Sequence, residues 1–305
     1  MNGIIPLWKE RGMTSHDAVF KLRKILHTKK VGHTGTLDPE VSGVLPICVG
    51  RATKLAEYMT DEGKEYIAEI SIGKSTTTED GTGDTVSTKE ISHAIDKEQI
   101  TEVLVSLTGE ITQIPPMYSA VKVNGKKLYE YARLGQTIDR PQRQVQIHAL
   151  ERLDDKALLT AAEPTFRLRI ACGKGTYIRT LAVMIGEKLG YPAHMSKLER
   201  TKSGFFQKKD CFTLQEIAEK VVASDWSFLA PLEKGIASFA QIDIEDAIYK
   251  QALNGRVFTE EELNTSVKER LALMHNERLV AIYKPHPEKE KMYKPEKVIE
   301  LNDAK

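Results

Sequence analysis

Apolar positions recur at two different spacings along the chain, and the change from one to the other lays out its elements. From Ser15 to about Thr28, the residues Ala18, Val19, Leu22, Ile25 and Leu26 fall on one stripe. This predicts a helix with Ser15 as its cap. From Glu65 to Ile72 the period drops to two, with Tyr66, Ala68, Ile70 and Ile72 on one face of a predicted strand. Thr76 to Asp84 is polar and glycine-bearing, hence a loop, and Asp96 to Leu107 reads as a helix with Ile100, Val103, Leu104 and Leu107 inward. Phe166, Leu168, Ile170 and Cys172 alternate with Arg167, Arg169 and Ala171, giving a strand with one basic face. A helix follows with Ile178, Leu181, Ala182 and Ile185 inward and Gly190 as its stop, and Thr213-Leu214-Gln215-Glu216 is a capping box opening another. After about Ser238 helical stripes give way to short segments such as Leu279–Tyr283, with turns expected at Asn254-Gly255 and Lys284-Pro285-His286-Pro287. A boundary is placed there, between residues 1–238 and 239–305.

Two segments fit neither period. Tyr118 to Arg143 holds Asn124-Gly125, a strong hairpin signal, followed by Lys126-Lys127-Leu128-Tyr129-Glu130-Tyr131-Ala132-Arg133, basic and aromatic with little to bury. Cations there can pair with phosphates while the rings stack on bases, although an ordinary exposed loop reads the same way. The other segment is Gly32 to Gly43, where Asp38-Pro39 sits among glycines. The glycines allow tight turns and close approach of a ligand. Pro39 biases Asp38 towards extended geometry and so directs its carboxylate. An isolated Asp-Pro between glycines is most often a plain turn, and no Gly-Lys-Ser/Thr follows to make a phosphate loop.

Composition narrows the classes. A chain of 305 residues suits a large domain plus a small one. No apolar run reaches the roughly 18 residues of a membrane span, and the first residues lack the layout of a signal peptide. Cys48, Cys172 and Cys211 are odd in number and widely spaced, which suggests buried, reduced thiols and a cytoplasmic protein, with no metal site. The net charge of +1 neither supports nor excludes nucleic acid. Basic clusters do stand at Lys21–Lys30 and Lys122–Arg143, where a solvated face is the bland explanation.

The string Gly-His-Thr-Gly-Thr-Leu-Asp-Pro from Gly32 to Pro39, with Ser-Gly-Val-Leu-Pro from Ser42 to Pro46, closely resembles the signature of the TruB family of tRNA pseudouridine synthases, bacterial type. Further blocks resemble it around residues 63–81, 115–143 and 172–204. Val41, where many relatives carry a smaller residue, is a conservative departure. The resemblance implies an α/β (α+β) fold: a mixed, largely antiparallel central sheet, an RNA-clamping insertion at about 118–146, and a small β-rich, PUA-like C-terminal module. It makes Asp38 the catalytic carboxylate and Arg179, in Gly173-Lys174-Gly175-Thr176-Tyr177-Ile178-Arg179, its partner, because a neighbouring guanidinium favours the ionised carboxyl. A lone arginine there would otherwise be a surface ion pair. Tyr66, by default a core tyrosine, would stack on the uracil and act in proton transfer. Tyr177 would contact ribose or base, His33 the RNA near the target, and Asp80 and Leu198 the pocket. Lys126, Lys127 and Arg133 are candidates for the RNA backbone. The implied reaction isomerises uridine 55 in the T-arm stem-loop of tRNA after flipping the nucleotide, by a monomer, with no cofactor and no metal. Whether Asp38 attacks the sugar carbon, attacks the base, or stabilises a cationic sugar stays open. The rivals are a non-catalytic RNA-binding or tRNA-folding module and a glycoside hydrolase, which would usually need a second carboxylate.

Overall fold

The computed structural model describes residues 1–299; residues 300–305, the end of the expected C-terminal module, lie outside the described residues. Contacts divide the chain into two units, one of Met1–Pro39, Val44–Thr60 and Gly204 onward, the other of Glu40–Gly43 and Asp61–Ser203. One passage of the chain between them falls inside the glycine loop, directly after Asp38-Pro39.

The first unit begins with strand β1 (Gly3–Lys9), helix α1 (Ser15–Ile25), the short strand β2 (Val31–His33) and β3 (Ser42–Val49), followed by helix α2 (Ala56–Asp61). Helix α1 corrects the expectation at both ends. Its cap is Thr14 rather than Ser15: the Thr14 hydroxyl accepts from Asp17 N at 3.0 Å, and the Asp17 carboxylate accepts from Thr14 N at 2.9 Å. This reciprocal arrangement satisfies two amides that the first turn leaves open. The helix stops at Ile25, before the expected Thr28, because His27 takes a φ of 50°, which no helix continues through.

The second unit is built on β4 (Lys64–Ile72), whose strict alternation buries Lys64, Tyr66, Ala68, Ile70 and Ile72. The hairpin of β5 (Lys74–Thr76) and β6 (Thr85–Thr88) frames the expected polar loop. After the two-residue strand β7 (Ile95–Asp96) comes α3 (Lys97–Ser106), capped by Asp96, and then β8 (Gly109–Gln113). The Asn124-Gly125 turn joins β9 (Lys122–Val123) to β10 (Lys126–Lys127) with φ values of 51° and 82°, both positive as a tight hairpin turn demands. Helix α4 (Leu128–Arg133) follows, and it corrects the view that this segment has little to bury, because Leu128 is fully buried. Next come β11 (Arg143–Arg152), β12 (Leu158–Leu159), which pairs with β7, β13 (Thr165–Cys172), α5 (Ile178–Leu189) and β14 (Ala193–Ser203).

These strands pair in the order β14-β4-β13-β11-β8, antiparallel throughout, and Ser42-Gly43 lies parallel against Glu199-Arg200, so the sheet is mixed but largely antiparallel. Helix α5 packs on β14 and β4, and α3 packs on α5. The stripe of Leu181, Ala182 and Ile185 has no exposed surface, and each large side chain in it contributes roughly 1.5–3 kcal/mol by burial. Gly190 ends α5 in the left-handed conformation at φ 80°.

The chain returns to the first unit through β15 (Phe206–Gln207) and α6 (Leu214–Val222), where the capping box at Thr213 and Glu216 is present. The β-rich terminal part comprises β16 (Ala240–Asp243), α7 (Asp246–Ala252), β17 (Phe258–Thr259), β18 (Leu271–His275), β19 (Arg278–Pro285) and β20 (Met292–Val298). The strands form one sheet in the order β16-β18-β19-β20-β17. One of its faces closes over Phe258, Leu271, Leu273, Tyr283 and Tyr293, while Ala272, Met274 and Ile282 pack with Leu55, Tyr58 and Ile236 of the same unit. The turn expected at Lys284-Pro285-His286-Pro287 begins only at Pro287, since β19 runs through Pro285 and His286 N still bonds across to Met292 O.

Candidate active site

The main chain on both sides of Asp38 is pinned within the first unit. The hydroxyl of Ser15, itself 1% exposed, accepts from Leu37 N at 2.8 Å and donates to Leu37 O at 3.2 Å. Beyond Asp38, Pro39 O accepts from Gly12 N at 3.0 Å and from Lys9 Nζ at 3.3 Å. Lys9 is wholly buried and donates also to Met13 O at 2.7 Å and Glu10 O at 2.9 Å. A buried ammonium is tolerable only when its protons are taken up in this way. Asp38 is therefore half-buried between two anchored neighbours, its path set by contacts and not by a regular element. His33 ends β2 opposite Ile47, and the buried Thr34 donates both its amide and its hydroxyl to Pro46 O at 3.1 Å.

Tyr66, Asp80, Tyr177, Arg179 and Leu198 all lie in the second unit, and of these the structure brings Asp80 and Arg179 within reach of each other. Tyr66 and Leu198 are each 8% exposed, Tyr66 on β4 opposite Ile170 and Arg200, and Leu198 on β14 opposite Ala68. Lys64 shares the buried face with Tyr66. Burial, reinforced by the nearby Arg200 cation, pushes its ammonium down to about 8. Arg179 is not the surface ion pair that its position alone suggests. It is 6% exposed and donates through Nη1 to Thr78 O at 3.1 Å and through Nη2 to Tyr118 O at 2.8 Å. Asp80 Oδ2 stands 3.9 Å from Nη1, while Oδ1 accepts from the Thr78 hydroxyl at 2.6 Å and from Thr82 N at 2.9 Å. The turn thus holds Asp80 by one oxygen and leaves the other towards the guanidinium.

Two further residues at this place went unread in the sequence. Glu79 accepts from the Thr180 hydroxyl at 2.9 Å and lies 3.8 Å from Arg140; burial raises its carboxyl above the ordinary value, against the pull of Thr180, Arg179 and Arg140. Gln113, at the end of β8, bonds the main chain of Tyr177. Neither lies on a periodic stripe, and only Glu79, beside Asp80, had a neighbour to draw notice.

The basic segment places its cations on its own tyrosines. Lys127 Nζ and Arg133 Cζ lie 5.4 and 5.1 Å from the Tyr129 ring, and Lys126 Nζ lies 6.0 Å from Tyr131, whose hydroxyl donates to Val123 O. Such contacts contribute about 0.5–1 kcal/mol at exposed sites, so they orient these groups more than they immobilise them. Cys48 and Cys172 are buried thiols, pushed up by burial to about 12 and about 11, whereas Cys211 is half-exposed.

A family model described as "TruB family pseudouridylate synthase (N terminal domain)" matches residues 23–178, and one described as "tRNA pseudouridylate synthase B C-terminal domain" matches residues 179–237. The chain belongs to the TruB family. Its relatives agree along the whole length: tRNA pseudouridine synthase B of Listeria innocua is 68% identical, covering 100% of both chains. The enzyme of that name from Staphylococcus aureus strain Newman is 53% identical over 97% of this chain and 99% of its own. Among solved structures, a Cbf5-Nop10-Gar1 complex contains a chain that matches with a TM-score of 0.77 at 29% identity, covering 99% of this chain and 86% of that one. A chain in an H/ACA ribonucleoprotein bound to a substrate RNA containing 2′-deoxyuridine matches with a TM-score of 0.74 at 26% identity, covering 99% and 86%. As a TruB-family member the chain is an isomerase, a tRNA pseudouridine synthase. The boundary between the two family models falls between Ile178 and Arg179, inside α5. Among the described residues no helix is long and apolar enough to cross a membrane, and no group of three His, Cys, Asp or Glu side chains is placed to hold a metal ion.

Proposed function

We propose that this TruB-family enzyme isomerises uridine 55 in the T-arm stem-loop of tRNA, with Asp38 as the catalytic carboxylate. The observation that carries the reading is the anchoring of Leu37 by Ser15 and of Pro39 by Lys9 and Gly12, which presents one carboxylate from an otherwise irregular loop. The reaction breaks the bond from N1 to C1′, turns the uracil, and joins C5 to C1′. The proton lost from C5 balances the one gained at N1. Tyr66, Tyr177 and Leu198 take the uracil and ribose roles, Asp80 orients Arg179, and Arg179 takes the role of the family arginine that favours an ionised catalytic carboxyl. His33 meets the RNA near the target.

The nucleotide is flipped from its stack at a cost of a few kcal/mol. Lys126, Lys127 and Arg133, together with the β-rich C-terminal part acting as a PUA-like RNA-binding module from residue 239, supply phosphate contacts that position the arm. The enzyme acts as a cytoplasmic monomer. The test is tritium release from a T-arm stem-loop labelled at C5 of uridine 55. Release by the wild type and none by Asp38→Ala supports the assignment. Tight binding without release from either protein replaces it with a non-catalytic tRNA-folding role.

A further inference from the structure

Helix α5 carries Arg179 as its second residue, yet it begins without a capping side chain of its own. Its cap residue, Tyr177 (φ −102°, ψ 110°), has no hydroxyl or carboxylate that reaches back to the first turn. The preceding loop is fastened at Gly173, whose N–H bonds Gln146 O at 2.8 Å and whose carbonyl accepts from the Thr176 hydroxyl at 3.1 Å, but neither contact reaches the main chain of Tyr177. What holds this start comes from 64 residues earlier: Gln113 Oε1 accepts from Tyr177 N at 3.0 Å, and Gln113 Nε2 donates to Tyr177 O at 3.2 Å. Tyr177 O also accepts from Leu181 N at 3.0 Å, the first hydrogen bond of the helix. Gln113 is 1% exposed, so its amide has been taken from water to make this clamp.

We infer that Gln113 is a positioning residue for Arg179, acting through the main chain of Tyr177; the inference rests on the role proposed above for Arg179. A primary amide is the side chain for this task because it offers a donor and an acceptor side by side, matching the N–H and C=O of one residue. Glutamate would set a second acceptor against Tyr177 O, leucine would leave both groups unmet, and asparagine is one methylene short. The consequence for Arg179 follows from helix geometry. A turn of the first residues by about 10° moves a side-chain tip about 6 Å from the axis by roughly 1 Å. A misplacement of that size in a reacting centre costs up to about 100-fold in rate. Glu79 steadies the next residue, Thr180, but through its hydroxyl, and so leaves the main-chain path to Gln113.

The experiment measures single-turnover tritium release from a C5-labelled tRNA transcript, the Kd for that tRNA, and the melting temperature, using the full chain. The variants are Gln113→Leu, Gln113→Glu, Arg179→Lys, the double variant Gln113→Leu/Arg179→Lys, and Leu104→Ala in α3 as a control that loosens the support of α5 by packing alone. Gln113→Leu is expected to slow the step about 10- to 100-fold with Kd within about twofold, Gln113→Glu less so. In the Arg179→Lys background the same change costs under about threefold, because the group it positions is already lost. A slow Arg179→Lys beside a wild-type rate for both Gln113 variants overturns this inference and leaves the site assignment standing. An undiminished effect in the Arg179→Lys background, or an equal slowing by Leu104→Ala, also overturns it, in favour of a merely structural role. A wild-type rate for Arg179→Lys overturns the site assignment, and this inference with it.

Discussion

Replacing Ser15 by alanine removes one oxygen and tests whether the anchoring of the loop is what makes Asp38 effective. Two bonds go with it, the acceptance from Leu37 N at 2.8 Å and the donation to Leu37 O at 3.2 Å. Leu37 is 4% exposed, so water does not replace them without movement of the loop. A buried amide left unmet costs about 1–3 kcal/mol, and the longer bond to the carbonyl adds less, which sets the loss at roughly 2–4 kcal/mol if the loop stays in place. Alanine at the first helical position favours α1 by a few tenths of a kcal/mol, a small offset of opposite sign. If the loop instead moves to reach water, stability falls less and the carboxylate is misplaced. The expected result is a modest drop in melting temperature and a fall of about 10- to 100-fold in single-turnover tritium release. Affinity for tRNA, measured by filter binding, should hold within about twofold, since phosphate contacts dominate it. Full stability loss with an unchanged rate would show that Ser15 serves the core alone, and a wild-type rate with wild-type stability would refute the anchoring altogether.

Asp38→Asn should abolish turnover while tRNA affinity stays within about an order of magnitude, checked by the same pair of assays. Alanine at Lys126, Lys127 or Arg133 should weaken tRNA binding and lower the salt slope by about one each, with the rate at saturation retained. Gly43→Ala places a Cβ 2.3 Å from Arg200 O and 2.6 Å from Arg200 N, at a φ of +140°, so the parallel pairing of Ser42-Gly43 with β14 must break. A loss of several kcal/mol in chemical denaturation is expected. Glu296 accepts from Arg270 Nε at 2.6 Å and Lys284 Nζ at 2.8 Å, and these partners, Arg270 foremost, hold its carboxyl down at about 2. A depressed carboxyl stabilises the fold above its unfolded value and loses that contribution as pH falls towards 2. Glu296→Gln should therefore cost roughly 1–3 kcal/mol at neutral pH and converge with the wild type near pH 2, as followed by denaturation across pH.

What the sequence determined by itself was local. The alternation in β4 and β13, the stripe of α5, the Asn124-Gly125 turn, the stop at Gly190 and the capping box at Thr213 all depend on residues within a few positions of one another. Periodicity and turn chemistry act at that range and can be read there. The Gly32–Gly43 string was legible for the opposite reason, since it obeys no period and so had to be explained by something other than packing. Family resemblance then attached roles to its residues that no spacing could supply.

Tertiary structure decided the choices that turn on a partner far along the chain. Ser15 and Thr14 are equally good caps in sequence; Thr14 takes the cap because the Ser15 hydroxyl is drawn inward to Leu37, 22 residues away. Arg179 looks like a surface cation until it is placed against Thr78 O and Tyr118 O, which lie 101 and 61 residues earlier. Those acceptors are main-chain carbonyls, present at every residue, so no side-chain pattern marks them in advance. Lys9 and Gln113 end strands on the faces of Leu7 and Ile111, although residue type alone would turn them to water; each is buried because carbonyls or an amide of a distant segment meet its hydrogen-bonding groups. Burying a polar group is favourable only when every such group finds a partner, and which partner arrives is a property of the folded chain.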